Sequence, residues 1–178
     1  DFHENIPMII ADIGRTRTSL IICVGGVLMF TTTIELGGQL FESSLAKAFQ
    51  ISQEEARLMK VAIGLNRQER NGAVFEALLP IVAVLADEVG RVVEYYHHHA
   101  THMHGVSDAI ESVMLVGGDA NLSGMETYLA SALRLPVTVG DPFIGVYPAN
   151  GFTLPPLRKN ESLAFTTAVG LALREIRK

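Results

Sequence analysis

The feature that most restricts this chain is its first third, where three short apolar runs are separated only by glycine turns. Residues 6–13 (IPMIIADI) are nearly all apolar and stop at Gly14, the pattern of a strand buried on both faces that ends in a turn. Residues 18–24 repeat that character after the connection Gly14-Arg15-Thr16-Arg17, and Gly25-Gly26 supports a tight turn into 27–34. Parallel neighbours need a crossover of a dozen residues or more, so links this short predict an antiparallel three-stranded meander.

The periodicity then changes. Gly37-Gly38 breaks the meander, and Phe41, Leu45, Ala48 and Phe49 recur at helical spacing. Ser52 followed by Glu55 is a capping-box signature that opens a helix through about Ile63, closed by Gly64. Residues 66–72 are polar and read as a loop. A long amphipathic helix is predicted from Pro80, which a first turn tolerates, with Leu78, Val82, Leu85, Val89, Val92 and Tyr96 as its apolar stripe and Asp87 paired with Arg91 on its wet face. Residues 112–116 form a short buried strand closed by Gly117-Gly118. A helix opening near Ser123 follows, carried by Met125, Leu129 and Leu133. Residues 136–139 are a further strand, and 141–156 a loop punctuated by proline and glycine. Phe165, Val169, Ala172 and Ile176 line a last helix, with Arg174, Arg177 and Lys178 near its C-terminus. Strands and helices in this order make an α/β chain with a mixed sheet flanked by helices.

At 178 residues the chain is the size of one ordinary domain and buries roughly two-thirds of its unfolded surface. A composition of 48% hydrophobic and 19% charged residues predicts a sizeable core. A net charge of -5 without any Lys/Arg run argues against nucleic acid as a partner. The longest apolar stretch, 77–86, is interrupted by Pro80 and falls well short of the ~20 residues of a membrane span. The single cysteine, Cys23, sits in an apolar run as a packing residue, compatible with a reducing compartment. Asp1-Phe2-His3-Glu4 lacks an initiator Met and the basic and apolar regions of a signal peptide, and is expected to be a cut made inside a longer protein.

Two places combine a buried strand with a glycine turn. Asp12-Ile13-Gly14 puts a carboxylate where strands end, with Gly14 letting backbone N–H groups approach a phosphate and Thr16 and Thr18 adding hydroxyls. Leu115-Val116-Gly117-Gly118-Asp119-Ala120 repeats the logic, and the following helix N-terminus favours anions. Either motif alone can be a plain turn. Thr31-Thr32-Thr33 is read as the wet face of a strand, not as a ligand ladder. His97, His98, His99, His102 and His104 cluster, and His98 and His102 have the i,i+4 spacing of zinc ligands. With no carboxylate or thiolate nearby to complete the set, they are read as solvated side chains at a fraying helix end.

The order of the whole set is similar to the second lobe of actin-like ATPases, of ribonuclease H-like fold. Within that superfamily it most resembles the PilM family of type IV pilus assembly proteins. The resemblance rests on Ala11-Asp12-Ile13-Gly14 with Thr18-Ser19-Leu20, Glu35-Leu36-Gly37-Gly38, Glu55-Ala56 to Lys60, and Arg91-Val92-Val93-Glu94-Tyr95-Tyr96. It continues through Leu115-Val116-Gly117-Gly118, Asp141-Pro142-Phe143 and Val169-Gly170-Leu171-Ala172-Leu173-Arg174. It implies the C-terminal half of a two-lobed protein whose N-terminal lobe is absent here, with 1–38 and about 106–178 the sheet-containing subdomain and about 39–105 a mainly helical one.

The resemblance also implies a nucleotide, ATP with Mg²⁺, in the cleft between lobes. Asp12 would lie near the metal and its waters, and Gly14, Arg15 and Thr16 at the phosphates. Gly37 and Gly38 would belong to the same site, Lys60 would lie by the ribose or base, and Gly117, Gly118 and Asp119 beneath the adenosine. Arg57 stands where the pattern has an acid, and a guanidinium cannot accept a hydrogen bond from a ribose. The Thr31-Thr32-Thr33 run likewise stands where the family often has Arg. The implied function is a cytoplasmic scaffold, peripheral to the inner membrane, that couples ATP binding to recruitment of a PilN-like membrane partner and is capable of self-association. The partner groove would lie mostly in the other half. Alternatives within the superfamily are a sugar or acid kinase lobe, for which no acceptor site or general base is visible, and an FtsA-like division protein, which needs a C-terminal membrane-targeting helix. On any of these readings this chain alone is expected to be inactive.

Overall fold

In a computed structural model of the chain, which describes residues 6–99, 109–143, 146 and 157–176, everything is built on β1 (Pro7–Ile13). It pairs antiparallel with β2 (Thr18–Val24) and parallel with β4 (Ser112–Val116); β3 (Val27–Ile34) and β5 (Val137–Val139) flank them, giving a five-stranded mixed sheet of order β3-β2-β1-β4-β5. The meander read from the glycine turns is present with its limits almost unchanged.

Burial along β1 alternates. Ile9, Ala11 and Ile13 are fully buried, and register places them beside Ile22, Leu20, Val113 and Leu115 on one face. Met8, Ile10 and Asp12 on the other face are only half-buried, so the strand is not sealed on both faces as its apolar run suggested. The physical reason is that the core helices pack on the Ile9 face, where Phe41, Leu45, Leu78, Leu85 and Leu129 complete one continuous core. β3 is an edge strand carrying a bulge, since Ile22 opposes Phe30 while Cys23 opposes Leu28, leaving Met29 extra. Thr31 and Thr33 are exposed there, and the Thr33 hydroxyl lies 3.4 Å from that of Ser19, as a cross-strand hydroxyl pair does.

Helix α1 (Gly38–Phe49) follows the glycine pair, and α2 (Gln53–Ile63) opens on the anticipated capping box. The Glu55 amide donates to Ser52 Oγ at 3.2 Å, while the Ser52 amide donates to Glu55 Oε2 at 2.9 Å. The Ser52 hydroxyl, donating to Glu55 Oε2 at 2.7 Å, and after it the Ser52 amide hold the Glu55 carboxyl below its usual range. Gly64 ends the helix by turning to φ +57°, and the position must be glycine because a side chain there would strike Ser123. The polar stretch 66–72 is not all loop: Glu69–Gly72 forms a 3-10 turn with Arg70 and Asn71 in left-handed conformation.

Helix α3 (Ala73–His99) begins seven residues earlier than the proline signal placed it. Burial of Val74 and Phe75 on the same stripe as Leu78 and Val82 overrides the local cost of an interior proline. Pro80 sits on the exposed face, and in the turn it interrupts the Ser44 hydroxyl donates to Ala77 O at 2.6 Å. On the wet face Arg91 pairs with Glu88 at 2.6 Å rather than with Asp87, because i,i+3 geometry brings that carboxylate closer. His97, His98 and His99 form the last turn of α3, with His99 stacked on Tyr95, while His102 and His104 lie outside the described residues.

Helix α4 (Met125–Leu133) starts two residues later than Ser123, because a 3-10 turn over Gly118–Asn121 and Gly124 at φ +81° intervene. The last helix is broken into α5 (Lys159–Ser162), a 3-10 turn Leu163–Phe165, and α6 (Thr166–Ile176). Its half-buried side is Thr166, Val169 and Leu173; Phe165 and Ala172 of the anticipated face are exposed. No helix among the described residues is long and apolar enough to cross a membrane.

Candidate functional site

Because β1 and β4 run parallel and adjacent, Asp12 opposite Val116, their C-terminal turns lie side by side. The mouth of such an open α/β sheet is where ligands gather. Gly117 sits at φ +91° against the Asp12 carboxylate, and a Cβ there would fall 2.5 Å from Ile13 O, so only glycine allows the two turns to close. The β1–β2 turn is pinned from the other side. Gly14 N donates to Arg17 O at 2.9 Å, and the first amides of α1, Gly38 N and Gln39 N, donate to Gly14 O and Arg15 O at 3.0 and 2.8 Å. Gly37 packs so closely on this turn that a Cβ would lie 2.5–2.7 Å from Gly14 and Arg15 backbone atoms. The Thr18 hydroxyl is committed to Leu36 O at 2.7 Å and ties the strand start to the glycine pair. Thr16 faces a neighbouring depression with Arg17, Glu35 and Gln39.

Between these turns and the helices lies a cavity of about 360 Å³, lined by Arg15, Glu42, Arg57, Lys60, Gly118 and Asp119, with Val61, Asn121 and Leu122. At its base is an ion network. Lys60 Nζ donates to Glu42 Oε1 at 2.9 Å and to Asp119 Oδ1 at 2.5 Å, and Arg15 Nη2 lies 3.3 Å from Glu42 Oε2. Lys60 is therefore not a solvated surface lysine: it is 7% exposed, and it joins α1, α2 and the turn after β4. Gly38 is required here too, since a Cβ would collide with the Asp119 carboxylate. Arg57 remains on the rim, 3.5 Å from the exposed Glu54.

Of the anticipated residues, Arg15, Lys60, Gly118 and Asp119 line this cavity, while Asp12, Gly14, Gly37, Gly38 and Gly117 form the joined turns beside it and Thr16 looks elsewhere. Glu42 was missed. Its signal was available in Gly38, Phe41, Glu42 and Leu45, an i, i+3, i+4, i+7 core stripe with an acid in it, and Ala56 and Lys60 repeat the anomaly one helix later. A larger cavity of about 590 Å³ lies away from both turns, and its one charged lining group, Arg67, stacks on Phe75. Burial pushes the Cys23 thiol up, away from reactivity.

The residues present suit a nucleotide with a magnesium ion. Arg15 and Lys60 bring cations to the cavity, Asp119 brings a partly exposed carboxylate, and Val61 and Leu122 offer apolar surface. Mg²⁺ takes one or two protein carboxylates and completes its shell with phosphate and water, which Asp12 alone can satisfy. Among the described residues no group of three or more His, Cys, Asp or Glu could hold a metal by itself.

A mixed sheet with its two glycine turns joined at one mouth and helices on its core face is the fold of actin-like ATPases. It is similar to MreB5 of Spiroplasma citri bound to ADP (TM-score 0.71, 16% identity, 99% of this chain and 55% of that chain). It is also similar to the archaeal actin homologue Ta0583 in complex with ADP (TM-score 0.55, 16% identity, 99% and 51%). The family model of the type IV pilus assembly protein PilM matches residues 2–176, and the chain belongs to that family. A PilM-PilN type IV pilus biogenesis complex superposes with TM-score 0.73 at 20% identity, over 99% of this chain and 48% of that chain. The chain thus spans about half the length of the proteins it matches.

Proposed function

We propose that this chain is the second lobe of a cytoplasmic scaffold of type IV pilus assembly, which binds ATP and Mg²⁺ and couples that binding to recruitment of a PilN-like inner-membrane partner. On this reading 1–38 and about 106–178 belong to a sheet-containing subdomain and about 39–105 to a mainly helical one. The observation that carries the reading is the meeting of the Asp12 and Gly117-Gly118 turns beside a cavity holding Lys60. Glycine turns at strand ends are suited to present backbone N–H groups to phosphates, Arg15 supplies a cation whose side chain is 64% exposed, and Asp12 would serve the metal through water. The family and the PilM-PilN relative favour a pilus scaffold over a sugar kinase or a division protein.

The test is a calorimetric Mg-ATP titration of the full-length protein beside its Asp12→Ala variant. Binding that weakens at least tenfold in the variant supports the reading; equal binding removes Asp12 from the site, and none by either removes ATP. Coupling is tested by titrating a peptide of the partner's cytoplasmic tail with and without Mg-ATP, where identical affinities would separate nucleotide from recruitment.

A further inference from the structure

We propose that Asp119 is the residue that reads the sugar of the bound nucleotide, accepting hydrogen bonds from the vicinal hydroxyls of a ribose through the carboxylate that Lys60 anchors. This rests on the nucleotide reading above and assigns a specificity to its site. A ribose presents hydroxyl donors, so its reader must be an acceptor, and the three cations of the cavity, Arg15, Arg57 and Lys60, have none to offer. The Asn121 amide, turned toward Gly118 O through Nδ2 at 3.4 Å, is a neutral acceptor, and as charged acceptors two carboxylates remain.

Glu42 is spent: Oε1 receives Lys60 at 2.9 Å, Oε2 faces Arg15 at 3.3 Å, and the side chain is 3% exposed. Asp119 is differently placed. Its contact with Lys60 is through Oδ1, and the side chain is 18% exposed in the wall of the cavity. It is also held still. The 3-10 turn Gly118–Asn121 fixes its backbone, Lys60 fixes one oxygen, and the absence of a Cβ on Gly38 leaves the space in which the carboxylate lies. A carboxylate fixed in this way gives charge-assisted bonds to hydroxyls, and a site built for a hydroxyl rejects an analogue lacking it. Glu42 acts behind it as the second counter-ion of Lys60.

The experiment compares Kd values of ATP and 2′,3′-dideoxy-ATP, each with Mg²⁺, for the full-length protein and its Asp119→Asn and Asp119→Ala variants. The wild type is expected to favour ATP by roughly tenfold or more. That preference should shrink in Asp119→Asn, which keeps shape and one acceptor oxygen, and vanish in Asp119→Ala. ATP binding by the wild type without preference for the ribonucleotide overturns the assignment alone, as does full preference retained in either folded variant. Failure of the wild type to bind either nucleotide overturns the ATP reading and the assignment with it.

Discussion

Lys60 and Glu42 show what a single charge in the core of this protein does. Each is less than a tenth exposed, and each answers for more than one neighbour. Breaking a buried pair from one side is costlier than never having it, because an uncompensated charge stays behind. Lys60→Met should therefore lower unfolding free energy by ~3 kcal/mol in a denaturant titration, and adding Glu42→Gln should recover part of that loss rather than add to it. The two changes adding in full would mean that the ions do not communicate. Gly117 is as demanding for a steric reason. At φ +91° with Asp12 and Ile13 against it, Gly117→Ala should cost ~2 kcal/mol or more and weaken any ligand held between the two turns. A variant as stable as the wild type would show that the turns do not close as described.

At the scale of elements, the helix starts and breaks are where sequence signals succeeded or yielded. The capping box of α2 was read correctly because Ser52 and Glu55 satisfy each other's amides locally and need nothing from the rest of the fold. Ser52→Ala should lower the melting midpoint by roughly 2–4 °C at neutral pH. The folded pKa of Glu55 is depressed, so its stabilisation is present above the unfolded value and lost as pH falls through the folded one. The deficit of Ser52→Ala should accordingly shrink in acid, and a deficit that grows there would contradict the box. Pro80 is the opposite case. Its local message, a helix beginning, lost to the burial of Val74 and Phe75 one to two turns earlier, and the Ser44 hydroxyl now serves the carbonyl of Ala77 in the turn it disturbs. Ser44→Ala should destabilise by about 1 kcal/mol, measured by denaturant, since it strips that carbonyl of a donor.

For the whole molecule, stability is concentrated on one face of the sheet. Ile9, Ala11, Ile13, Leu20, Ile22 and Leu115 are completely buried, whereas Val27, Leu28, Phe165 and Leu171 are 46–63% exposed on the edge strand and last helix. Native-state hydrogen exchange should be slowest in β1 and the facing part of β2, and faster in β3 and α6. Uniform protection would deny this gradient.

The chain by itself determined whatever depends on neighbours in sequence: the three-stranded meander, the glycine turns after β1 and β4, the capping box, and the alternation of strand and helix. Short loops leave a strand no other partner, and a glycine pair permits backbone conformations that other residues resist. Only the tertiary structure decided that one face of β1 is sealed and the other half-open, that α3 runs through Pro80, and that Arg91 prefers Glu88. It also decided that Lys60 is buried between Glu42 and Asp119, residues 18 and 59 positions away along the chain. Such pairings are chosen by how helices pack over a sheet, a competition among long-range contacts that leaves in the sequence only a charged residue on an apolar stripe.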